Sequence, residues 1–137
     1  MRRGSEALVG GATYTVASIM AGILLALPDE AWFEALYPPR PPEVQPSLLL
    51  CLGHKALYGV VMGVLYQWAM PSLRGAGWVR GATFGLTTSL LAIATYIGEW
   101  PIFGGAAALW VWWGAYAVLL GGLAGAAMGW ATQRFLR

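Results

Sequence analysis

Cys51, His54 and Lys55 cluster within about a turn of one another in an otherwise apolar stretch, and Glu99 closes a second such stretch. A thiol, an imidazole, an ammonium and a carboxylate among apolar neighbours are candidates for metal ligation, nucleophilic attack or proton movement. The spacing Cys51-x-x-His54 places thiol and imidazole on one helical face. Structural zinc needs four ligands and catalytic zinc three, whereas the chain has one cysteine and one histidine. No metal and no other cofactor is therefore expected. Covalent catalysis lacks support as well, because neither Cys51 nor any serine has a base and oxyanion donors at a usable spacing. The chain is not expected to be an enzyme. Movement of protons or a small solute through a polar cluster is the chemistry left, and it draws in His54, Lys55, Glu99, Thr88 and Thr95, with Gln67 and Gln133 toward the opposite end.

The elements that would position these groups follow from composition. Of 137 residues, 58% are hydrophobic and 10% charged, with a mean hydropathy of +0.62. A soluble domain carries about 25% charged residues, so a water-soluble nucleic-acid binder is excluded and membrane lipid is the expected surrounding. A spanning helix needs about 20 apolar residues. Four stretches meet that length: Ala7 to Leu27, Leu48 to Met70, Ala76 to Gly98 and Gly104 to Trp130. Short connections at Pro71–Gly75 and Glu99–Phe103 make successive spans antiparallel. The expected fold is an all-α, polytopic four-helix bundle, one transmembrane domain over residues 1–137, with an outer loop at 28–47.

Arg2, Arg3, Arg74, Arg80, Arg134 and Arg137 gather at one face, and Asp29, Glu30, Glu34, Glu43 and Glu99 at the other. The positive-inside rule then puts both termini in the cytoplasm of a bacterial inner membrane. No A-x-A cleavage site precedes Pro28, so the first stretch is expected to be a retained span. Trp110, Trp112 and Trp113, spread around the last span, are expected mainly to face lipid.

Along the second span His54, Tyr58, Met62 and Tyr66 share one stripe, and Lys55, Gly59, Gly63 and Gln67 the next. Lys55 therefore lies where another helix approaches. Pairing of Lys55 or His54 with Glu99 would ease the cost of charge at that depth; the alternative is that Lys55 snorkels outward and His54 bonds a carbonyl. Thr88, Ala92, Thr95 and Glu99 share a face of the third span, either lining a polar pathway toward Gln67 and Gln133 or bonding their own helix.

Small residues at spacing four mark the packing seams: Gly59 and Gly63, then Gly77, Gly81 and Gly85, then Gly121, Gly125 and Gly129. With so many stripes, a homo-oligomer or a protein partner within the membrane is expected. The strings Gly11-Ala12-Thr13-Tyr14 and Gly81-Ala82-Thr83-Phe84 match, as do Gly59-Val60-Val61-Met62-Gly63 and Gly125-Ala126-Ala127-Met128-Gly129, with Gln67 and Gln133 at the same offset. This internal repeat reads as a tandem duplication of a helical hairpin. In the outer loop, Asp29 to Tyr37 reads as an amphipathic interfacial helix followed by a stiff proline-rich segment around Arg40, either a docking surface or a solvated spacer.

Gly85-Leu86-Thr87-Thr88-Ser89 looks like a string of the small fluoride channels, but the pore asparagine of that family has no counterpart in a chain without asparagine. Trp32-x-Glu34, Pro38-Pro39-Arg40, a helix with Gly53-His54 and a third helix opening near Gly81 together resemble the YagU-like bacterial inner-membrane proteins. The histidine those proteins carry in the last helix is missing here. The resemblance implies an inner-membrane location and a suggested link to acid tolerance, and it draws attention to Trp32, Glu34, Arg40 and His54. Two functions follow from the whole reading: a small transport or channel unit, or a non-catalytic accessory or assembly subunit of a larger membrane complex.

Overall fold

A computed structural model describes residues 2–26, 48–103 and 107–135 of the chain. The described residues form four helices and no strand: α1 (Arg2–Ala26), α2 (Leu48–Ala69), α3 (Gly77–Phe103) and α4 (Ala107–Phe135). Two stretches, Gly77–Gly98 and Trp110–Phe135, are long and apolar enough to cross a membrane. The outer loop, with Trp32, Glu34 and Arg40, lies outside the described residues, as do the side chains of Cys51 and Glu99.

The helices outrun the expected spans. α3 continues through the expected link at Glu99–Phe103, with Pro101 in its last turn. A proline there removes one backbone bond, to Ile97, and leaves the rest of the ladder intact, so a single proline near a helix end does not force a stop. Between α2 and α3 the chain tightens into a 3-10 turn at Met70–Ser72, where Leu73 N donates to Met70 O at 3.2 Å. Gly75 then takes φ of +99°, a conformation that favours glycine, and reverses the chain into α3.

Within each hairpin the backbones meet through glycine. A Cβ on Gly11 would lie 2.7 Å from Gly59 O, and one on Gly63 would strike Ala7 O and lie 2.8 Å from Gly11 N. In the second hairpin a Cβ on Gly81 would strike Gly125 O and lie 2.7 Å from Gly129 N, and one on Gly129 would strike Gly77 O. Gly85 and Gly121 continue the seam. Gly11 and Gly81 thus occupy equivalent places, as do Gly59 and Gly125, and Gly63 and Gly129. All eight glycines singled out as packing positions face a helix of this same chain. Where apolar surroundings supply no drive for helices to associate, such close approach gains dispersion and Cα–H···O contacts of about 0.5–1 kcal/mol each.

The two hairpins dock through α1 and α4, giving the lateral order α2–α1–α4–α3. Gly10 admits α4 here: a Cβ would lie 3.2 Å from Met128 Cγ and 3.3 Å from Thr132 Cγ2. α2 and α3 hardly approach each other. Large side chains bridge that side instead, with the rings of Tyr66 and Phe84 edge to face at 5.4 Å. Tyr14, Met62, Tyr66, Phe84, Ala124 and Met128 form a buried layer across the middle.

Candidate functional site

Two cavities that contain polar groups flank the buried layer, one at each end of the α2–α3 side. The first lies toward the end where α1 finishes and α2 starts; we call it the far cavity. It measures about 360 Å3 and gathers residues of all four helices. His54 and Lys55 enter from α2, Thr88 and Thr95 from α3, and Tyr14, Tyr58, Tyr96, Trp113 and Tyr116 complete an aromatic wall. Four of the seven residues picked out as a polar cluster therefore share one cavity. Glu99, the fifth, sits on α3, four positions beyond Thr95.

Local geometry explains how each group arrives there. Lys55 is half-buried because its turn of α2 abuts α1, where Thr15 Oγ1 lies 3.0 Å from Gly11 O and 3.4 Å from Lys55 O. His54, one position earlier, is turned away from that seam and exposed, with its ring stacked on Tyr58 at 6.4 Å. The Tyr14 and Tyr58 rings lie 6.0 Å apart. Across the cavity Trp113 packs against Tyr116 at 5.8 Å and Tyr96 at 6.3 Å, so this tryptophan faces the cavity.

The hydroxyls of α3 donate to their own helix. Thr88 Oγ1 donates toward Phe84 O and Gly85 O at 3.1 and 2.9 Å, and Thr95 Oγ1 to Leu91 O at 3.0 Å. Their oxygens offer lone pairs to whatever occupies the cavity. Ser89 differs. It is buried, and its one hydrogen is shared between Gly85 O and Ala117 O, both at 2.8 Å, which ties α3 to α4. A bond of this kind between helices in apolar surroundings contributes about 0.6 kcal/mol. The far cavity is thus a largely apolar, aromatic-walled cup that also holds an ammonium, an imidazole, phenol groups and hydroxyl acceptors.

The second cavity, about 230 Å3, lies at the end that holds the start of α1 and the close of α4; we call it the terminal cavity. Gln67 and Gln133, the remaining two of the seven, both line it, together with Glu6, Tyr66, Arg80 and Thr132. The two glutamines hold equivalent places in the hairpins but do different things. Gln133 Oε1 accepts from Gly77 N at 2.7 Å and caps the start of α3. The place equivalent to Gly77 in the first hairpin is Ala7, which lies inside α1 because that helix starts at Arg2. With no helix end to cap, Gln67 Nε2 is buried without a hydrogen-bond partner. An unsatisfied buried amide costs about 1–3 kcal/mol.

Sequence reasoning did not pick out Arg80, Glu6 or the tyrosines as cavity residues. Arg80 was legible only as a topology anchor. The signal for it lay in the repeat, where Gly10 and Arg80 precede matching strings and are the mismatched pair. Comparison with protein-family models, with curated proteins and with solved structures finds no match to this chain.

Proposed function

We propose that this chain is a polytopic bacterial inner-membrane protein of four spans with both termini cytoplasmic, built by tandem duplication of a hairpin, that acts as a small transport or channel unit. The polar solute, or proton, is received in the far cavity. The convergence of His54, Lys55, Thr88 and Thr95 on that one cavity carries the reading. Polar groups in an apolar bundle are expensive unless they serve a ligand or each other, and here they come from α2 and α3, two helices that hardly touch one another.

Large apolar side chains exposed on every helix support the membrane setting, among them Val16 on α1, Leu57 and Trp68 on α2, Leu91 on α3 and Val111 on α4. An apolar girdle on this scale is incompatible with water but suits acyl chains. Flux across proteoliposomes tests the proposal, using a pH-reporting dye for protons and isotope uptake for small organic solutes. Replacement of His54 by Ala together with Lys55 by Met is expected to lower flux at least tenfold. Flux in this double variant equal to that of the parent would overturn the reading.

A further inference from the structure

The glycine seam holds α3 and α4 together as far as Gly85 and Gly121, and Ser89 adds its tie to Ala117 O. Beyond that point the helices part. A Cβ on Gly114 would meet only Ile93 Cγ1, at an ordinary contact distance of 3.7 Å. The opening is an apolar groove of about 720 Å3, lined by Ile93, Ile97, Val111, Val118 and Leu119 as well as Gly114. Along α4 it runs from Ala107 to Leu119, about 18 Å at 1.5 Å per residue. That is close to half of the roughly 30 Å hydrocarbon core, the depth one extended acyl chain covers. Among the described lining residues, Tyr96 alone belongs to both the groove and the far cavity. Its ring lies 6.3 Å from Trp110 on the groove side and 6.3 Å from Trp113 on the cavity side. Rotation of that ring about χ1 would join the two spaces. On the cavity side Lys55 brings an ammonium, and no carboxylate is found among the described lining residues. A charge in apolar surroundings calls for a partner of opposite sign. A molecule with one apolar tail and one negative head meets the demands of both spaces.

We propose that the groove and the far cavity together bind a long-chain monocarboxylate, its carboxylate on Lys55 and its chain laid past Tyr96 into the groove between α3 and α4. This site extends the receiving cavity of the transport reading, on which it rests, and narrows the solute to a fatty acid taken sideways from the bilayer.

The full chain is placed in phosphatidylcholine nanodiscs with palmitate that carries a mid-chain diazirine, irradiated, and the labelled peptides are mapped by mass spectrometry. Labelling is expected to saturate, to fall on the groove residues of α3 and α4, and to be displaced by unlabelled palmitate at least tenfold better than by hexadecanol, which has the same chain and no charge. Gly114→Leu fills the groove where a side chain meets little, and is expected to lower labelling at least tenfold. Val111→Trp, at a position 72% exposed and therefore safe for folding, is expected to act in the same direction. Lys55→Met is expected to raise the half-saturating palmitate concentration at least fivefold. Labelling that does not saturate, equal displacement by hexadecanol, or unchanged labelling in Val111→Trp and Gly114→Leu together would overturn the proposal. Binding is read without a gradient, so its failure is separable from that of the transport reading: a chain that binds palmitate and carries no flux keeps this site and loses transport, and flux without saturable labelling does the reverse.

Discussion

The α1–α4 seam and the α2–α3 side occupy corresponding places in the two hairpins, yet one is closed and the other open. At the closed seam Gly10 lets Met128 and Thr132 come within about the contact distance of its own backbone. At the equivalent place on α3 stands Arg80, whose side chain lines a cavity rather than a packed interface. The pairing Tyr58 and Ala124 repeats the contrast on the other two helices, with the small residue again at the closed seam, where it is fully buried. Hairpin seams with glycines at equivalent places can therefore support two opposite interfaces, and the choice falls on a few side chains at the margins. Both cavities lie on the open side.

The largest test of this contrast is Gly10→Leu. Its side chain must displace Met128 and Thr132, both buried, and the expected loss is about 3 kcal/mol. Denaturation from mixed micelles with sodium dodecyl sulfate, followed by tryptophan fluorescence, measures it. A smaller step is Gly10→Ala, where Met128 Cγ must give by a few tenths of an ångström; a loss of about 1 kcal/mol is expected in the same assay. A stability gain from either change would mean that the seam is looser than its geometry. Smallest is Arg80→Ala at the open side, expected to change stability by less than about 0.5 kcal/mol because the hydrogen bond it loses, to Gly75 O, is exposed to solvent. A loss as large as that of Gly10→Leu would show that both sides carry the fold alike and would end the comparison.

Much of the helical architecture could be read from the chain. The small-residue spacing of Gly59, Gly63, Gly81, Gly85, Gly121, Gly125 and Gly129 encodes the hairpin seams directly, since close backbone approach admits few other residues. The matching strings around Gly11 and Gly81 foreshadowed equivalent registers in the two hairpins. Helix ends were less legible, because continuation through Pro101 depends on the balance of one lost backbone bond against several kept. The grouping of His54 with Thr88 and Thr95 was partly legible from shared faces. Its division from Gln67 and Gln133 was not, because the layer between them is made of residues from all four helices, and no single periodicity contains it. Arg80 was hidden for a related reason: position near a helix start explains an arginine equally well whether it faces water or a cavity.

The buried layer has an electrical consequence. In a bilayer of the proposed arrangement, Tyr14, Met62, Phe84 and Met128 would act as the insulator between two conducting cups, and the transmembrane voltage would fall across a slab a few side chains thick rather than across the whole hydrocarbon width. A charge resting in either cup would feel little of that voltage, while one passing the slab would feel nearly all of it, about 2.3 kcal/mol per 100 mV. Any movement of a charged solute between the cups would then be steeply voltage-dependent at that single step, and the resting protein would not leak.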